Sequence, residues 1–188
     1  MGTLNLDAML ERRIRPYLLI LTWIFAAAFL AGTMAPVPVR MEAAKAFQFI
    51  VDSYRELEGG KLFFAILLQN VTASILILVS GVLVGIIPVF SIGSNGFFLG
   101  VLYRQAAEGT GYSAAALKVL PHGIIEIPAL LVAASYGLWL GMTVLRRWRG
   151  KESVPLWSHM EHAFRRYFAI VFPLLVIAAA IETALILR

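Results

Sequence analysis

Long, nearly uncharged apolar runs constrain this chain more than any other feature. They fall within residues 17–34, 62–87, 121–145 and 168–187. Each is close to or beyond the roughly 20 helical residues that cross a hydrocarbon core. Inside lipid, a spanning segment must pair its own backbone N–H and C=O groups, and a helix does so within itself. The composition agrees: 60% of residues are hydrophobic and 14% charged, against about 45–50% and 25% in soluble domains. The expectation is an all-α, polytopic transmembrane helical bundle of about five crossings, one domain over residues 1–188 with no room for a separate soluble part.

Turn and cap residues set the expected boundaries. A first helix at 16–34 begins at Pro16, whose missing N–H would be unpaired there anyway, and ends at Pro36 and Pro38. Arg12, Arg13 and Arg15 before it resemble a signal-peptide n-region. The run after them is longer than a usual h-region, so an uncleaved helix is expected. Residues 40–58 mix charges with a helical stripe of Phe47, Ile50, Val51, Tyr54 and Leu57, which reads as an amphipathic helix outside the membrane. A second crossing at 62–87 stops at Pro88. Its Asn70, Ser74, Gly81 and Gly85 lie within about 60° of one another, a face suited to close helix contact. Residues 89–105, rich in Gly and Ser, read as a short or discontinuous third helix, followed by a turn at 106–112 and a half-helix at 113–120. A fourth helix at 121–145 places His122, Glu126, Ala133, Gly137 and Gly141 on one face. A fifth spans 168–187.

Charge sets the expected orientation. The net charge is +5, and its cations sit beside apolar runs, as topology signals do, rather than in a nucleic-acid patch. Arg12, Arg13 and Arg15, then Arg146, Arg147, Arg149 and Lys151, then Arg165 and Arg166 are expected on the cytoplasmic side. That requires an even number of crossings between the first two clusters. It places the N-terminus inside and the C-terminus outside the cell membrane. Trp148 and Trp157 flank the second cluster as interfacial anchors. His159 and His162, beside Arg165 and Arg166, read as a solvated or headgroup-facing stretch.

The chemistry-bearing pair is His122 and Glu126, four residues apart and therefore on one helical face. Ionisable groups at membrane depth are costly and mark functional positions. With Asn70, Asn95 and Arg104 they form a candidate polar network, open to three readings: a structural network, an ion or proton pathway, or a contact to substrate, lipid or metal. Two ligands fall short of the four that structural zinc takes, and no cofactor is expected. Hydrolase readings fare badly. There is no cysteine, no Gly-x-Ser-x-Gly and no His-Glu-x-x-His, and the two aspartates, Asp7 and Asp52, lie outside the apolar runs.

Asn70, the Gly81/Gly85 region with Pro88, Asn95-Gly96 with Gly100, and above all Pro121-His122-Gly123 with Glu126, Pro128 and Ala129 resemble the SpoIIM family of membrane proteins. The likeness covers residues 63–145, and the flanking helices match it in hydropathy alone. The family's namesake is a membrane component of a complex that remodels peptidoglycan. The resemblance therefore implies a non-enzymatic scaffold in the lipid bilayer, homo-oligomeric, with membrane or envelope protein partners and no nucleic acid. The close alternative is a small ion or solute transporter using the polar network.

Overall fold

The structure, a computed structural model, describes residues 2–54 and 57–187; the side chains of residues 2–13, 50–51 and 118–122 lie outside that description. It is helical, with no strand among the described residues. The elements are α1 (Gly2–Thr33), α2 (Val37–Tyr54), α3 (Gly59–Ser80), α4 (Ile86–Thr110), α5 (Tyr112–Trp148), α6 (Leu156–Arg166), a π-helical segment (Tyr167–Val171) and α7 (Phe172–Ile186). Five helices are long and apolar enough to cross a membrane, within Ile14–Thr33, Gly59–Ser80, Ile86–Thr110, Gly123–Trp148 and Leu156–Ile186. Their outer faces carry exposed apolar side chains such as Leu19, Trp23, Leu30, Phe64, Leu68 and Phe90. In water such a belt would be a liability; in a bilayer it is the expected surface.

Several boundaries differ from the expectation, and each difference has a local cause. The second crossing ends at Ser80, not near 87. A five-residue turn follows, with Val84 at φ 60 and Gly85 at φ 74. Glycine takes that left-handed conformation freely; a β-branched valine there stores strain on the order of 1–3 kcal/mol. Pro88 then belongs to the first turn of α4, where its absent N–H removes no helical bond. The third crossing is not discontinuous. α4 runs unbroken for 25 residues, through the glycines that suggested a break. Those glycines are contact residues: a Cβ on Gly96 would meet the Phe25 carbonyl, and one on Gly100 the Phe29 carbonyl, both on α1. α1 and α4 thus lie side by side and parallel at backbone distance. The turn expected at 106–112 shrinks to Gly111, at φ 84, and the separate half-helix at 113–120 is the start of α5. The expected fifth helix is the end of a longer continuous one from Leu156, with the π segment just before Pro173.

α5 is the centre of the bundle. Residues 133–141 are buried at nine consecutive positions, so α3, α4, α6–α7 and α1 cover it from all sides. Trp139 and Tyr136 join Tyr167, Val171 and Leu175 in one cluster, and Leu131 and Leu138 join Leu21 and Ile92 in another. The large aliphatic face of α5 is therefore core as well, apart from the exposed Ile124. Tyr167 donates to or accepts from Ser74 across α3 at 2.8 Å in a buried site.

Two polar groupings mark the ends of the bundle. At one end Arg146 of α5 donates to the Tyr17 hydroxyl of α1 at 3.2 Å. This brings the start of the first span and the 146–151 cations together. At the other end Arg40 of α2 pairs with Glu108 of α4.

Candidate functional sites

α4 and α5 run antiparallel in a register fixed by small residues. Gly137 lies against Pro88, and a Cβ on Gly141 would meet the Gly85 nitrogen. Continued along both helices, this register places Glu126 beside the Asn95–Leu99 turn of α4. A cavity of about 110 Å³ lies between them, lined by Phe25, Asn95, Phe98, Leu99, Gly123, Glu126, Ile127 and Leu130. Glu126 is half-buried there. Asn95 donates from its amide nitrogen to the Ser91 carbonyl at 2.8 Å, which fixes the side chain along α4. A larger open groove, about 660 Å³, is lined by Phe90, Gly93, Ser94, Asn95, Phe97 and Phe98 on the outer face of α4. Asn95 and Phe98 border both spaces.

Of the five expected network residues, the structure brings Asn95 and Glu126 to one cavity. The side chain of His122 lies outside the described residues. Asn70 is half-buried on α3 and lines neither space. It stands eleven residues before Gly81, as Glu126 stands before Gly137. A Cβ on Gly81 would meet the Gly137 carbonyl, so the equal offsets put Asn70 and Glu126 at one depth. The expected grouping of Arg104 with Glu126 gives way to another. Arg104 is nine residues past Asn95, about 13 Å along the axis. It donates from Nε to Glu108 at 3.1 Å and from a terminal nitrogen to the Tyr112 hydroxyl at 2.8 Å. Glu108 also holds Arg40, so two guanidiniums share one carboxylate where α2, α4 and α5 meet.

The small residues have one job in common. Gly81, Gly137 and Gly141 face backbone atoms with no space for a methyl group, Gly85 faces the Leu138 side chain, and Ala133 is fully buried. The ladder on α5 is filled by the backbone of α3 and of the α3–α4 turn.

A second polar cluster was misread from sequence. His159 and His162 are not solvated: they are 1% and 5% exposed, packed on the ring of Trp139 at centroid distances of 5.0 and 6.0 Å. His159 Nδ1 lies 3.1 Å from the Pro155 carbonyl, which can only accept, so Nδ1 carries the hydrogen. Its Nε2 faces Glu152 at 3.9 Å, and Arg146 approaches the same carboxylate oxygen at 3.8 Å. Arg146 also donates to Thr143 at 2.7 Å. This cluster ties the 149–155 loop and α6 onto the central helix. The signal was present in the sequence. On a helix, His159 shares a face with Leu156, Ala163 and Tyr167, while Glu161 and Arg165 point the other way. The residues beside it drew attention to charge instead. Among the described residues no group of three or more His, Cys, Asp or Glu side chains could hold a metal ion.

The profile of the stage II sporulation protein M family, SpoIIM, matches residues 17–185, well beyond the 63–145 that carried the resemblance. An uncharacterized protein of Methanocaldococcus jannaschii is 42% identical over 82 residues, 43% of this chain; the match spans 34% of that relative's length, about a third. A second uncharacterized protein of the same archaeon is 31% identical over 121 residues, 64% of this chain and 68% of the relative. No solved structure matches the chain.

Proposed function

The chain belongs to the SpoIIM family of stage II sporulation protein M, and from that premise we propose that it is a non-catalytic, multi-pass membrane scaffold, working as a homo-oligomer that holds membrane or envelope proteins in one complex. The observation that carries this reading is the closure of α5. The small-residue face that a conduction path would need open is occupied by backbone at Gly81, Gly137 and Gly141. A rigid, protein-filled centre suits a part that positions others. The contact of Arg146 with Tyr17 supports a common side for the N-terminal and 146–151 cations. By the positive-inside rule that side is cytoplasmic, with the N-terminus inside and the C-terminus outside. The exposed Trp148 and Trp157 beside it suit the headgroup level.

Cross-linking mass spectrometry on native membranes tests the reading. A stoichiometric assembly, with links between copies of the chain and to one or more membrane proteins, is expected. A chain that stays monomeric and links to no protein in fixed ratio contradicts it. A second reading, a small transporter or channel, is favoured by one observation: the cavity that Asn95 and Glu126 share.

A further inference from the structure

We propose that the outer face of α4 is a dimer seam: a second copy of this chain packs its own α4 against the groove beside Ser94 and Asn95, about a two-fold axis normal to the membrane. This rests on the homo-oligomer reading above and names the surface that reading needs.

α4 is already covered on two sides. Gly96 and Gly100 meet the backbone of α1, and Pro88 lies against Gly137 of α5. The side that remains carries Ile87, Ser91, Ser94 and Phe98, at intervals of four, three and four residues. That is the seven-residue repeat of a seam between two helices at a shallow left-handed crossing. All four side chains are exposed or half-buried. Phe90 and Phe97 stand beside the seam, and with Gly93, Ser94, Asn95 and Phe98 they line the groove of about 660 Å³.

Depth makes this face costly in lipid. Ser94 and Asn95 are exposed and lie within about 6 Å of the middle of α4 along its axis. Acyl chains offer them no hydrogen bond. Asn95 spends one amide N–H on the Ser91 carbonyl, which leaves a second N–H and the amide oxygen. Among the described residues, the hydroxyls of Ser80 and Ser135 donate to a carbonyl of their own helix, whereas Ser94 makes no side-chain hydrogen bond. An acyl chain in the groove fills the space and leaves these groups unsatisfied. A protein helix there fills the space and bonds them.

Self-complementarity selects a second copy over an unrelated helix. A two-fold contact brings one patch against itself, so the patch must fit itself. An amide and a hydroxyl each donate and accept, so Asn95 and Ser94 can pair with their own counterparts. The face also holds both a ridge and a hollow. Phe90, 73% exposed, projects beside the groove at Gly93 and Ser94, and each copy's ridge enters the other's hollow. About a two-fold axis every such bond forms twice, which doubles the modest worth of one interhelical bond.

The chain has no cysteine, so single-cysteine cross-linking reads the seam directly. Ser91→Cys and Ser94→Cys are oxidised in native membranes beside two controls on other exposed faces, Leu19→Cys on α1 and Gln69→Cys on α3. Disulfide-linked dimers are expected at 91 and 94 and not at 19 or 69. Association is then followed by energy transfer between tagged copies as the protein is diluted with lipid in liposomes. Asn95→Leu is expected to weaken the dimer about tenfold, ~1.4 kcal/mol for its two symmetry-related bonds. Gly93→Leu fills the groove at a position where an added Cβ meets just one side-chain atom, at 3.8 Å, and is expected to leave monomers at dilutions where the native chain pairs. Should Asn95→Leu not fold, Ser94→Leu takes its place with the same expectation as Gly93→Leu. Links confined to 19 or 69, equal links at all four positions, or native association of both Asn95→Leu and Gly93→Leu overturn the α4 seam and leave a homo-oligomer standing. Monomers at every dilution, with no link at any position, overturn the seam and the homo-oligomer reading together.

Discussion

Gly141→Ala is the sharpest probe of how this bundle is held. The added methyl carbon would sit 2.5 Å from the Gly81 carbonyl oxygen and closer still to the Gly85 nitrogen. These are backbone atoms, so no rotamer change relieves the overlap; α3, its turn or α5 must move. Overpacking a tight contact costs about 1–3 kcal/mol, and the rigid neighbours argue for the upper end. Against this, alanine is better than glycine in a helix by about 1 kcal/mol. The net expectation is a loss of about 2 kcal/mol, or roughly 4–8 °C in midpoint for a chain of this size. Gly109→Ala is the control: it lies inside α4, and an added Cβ meets nothing within 4 Å. It should be neutral or stabilise by up to about 1 kcal/mol. Thermal unfolding of both variants in one detergent, followed by near-UV circular dichroism, measures the difference. If Gly141→Ala melts with or above Gly109→Ala, backbone closure around α5 is not what holds these helices.

Other expectations follow from single contacts. Tyr167→Phe removes the buried bond to Ser74 and should cost about 1 kcal/mol, with Ser74→Ala adding little on top of it, measured as a double-mutant cycle. Val84→Gly relieves the left-handed valine and should leave the midpoint unchanged or raise it by up to about 1 kcal/mol in the same melt. Arg40→Ala should loosen α2 from α4, read as faster amide exchange across Val37–Tyr54 while α5 stays protected; equal exchange in both forms would show that the ion pair with Glu108 does not fasten α2. The chain has no cysteine, so single-cysteine labelling of intact cells reads topology directly. Lys151→Cys should be shielded from an impermeant reagent and Gly109→Cys should react.

The helices were legible because hydrocarbon length is written directly in composition, and proline and glycine mark most ends. What failed was the reading of glycine itself. Gly93, Gly96 and Gly100 looked like breaks because an isolated helix is weakened by them; a close neighbour, α1, repays that weakness with contact, and the identity of the neighbour is not a local property. Pro88 was read as a stop and is a start, since proline fits both and only the φ of Val84 and Gly85 places the turn before it. At the candidate site, helical angles put Glu126 on the small-residue face of its helix and paired it with Asn70; the structure brings it to one cavity with Asn95 instead, and Arg104 was assigned by nearness in sequence. Its real partner, Glu108, lies one turn away on its own helix. At the His159 cluster the periodicity of Leu156, Ala163 and Tyr167 carried the burial of the imidazole; what no periodicity reports is the folded-back loop, residues 149–155, that brings Glu152 to Arg146 and His159.

The measurement that bears most directly on the scaffold account is ion flux. The chain is reconstituted in sealed liposomes with a pH gradient and a potassium gradient, and proton and cation movement are followed with trapped dyes beside protein-free vesicles. The account predicts background flux in both directions at every pH, for the native chain and for Glu126→Gln alike. A protein-dependent, pH-dependent flux that Glu126→Gln abolishes, with folding intact, would contradict it and establish the cavity beside α5 as part of a path.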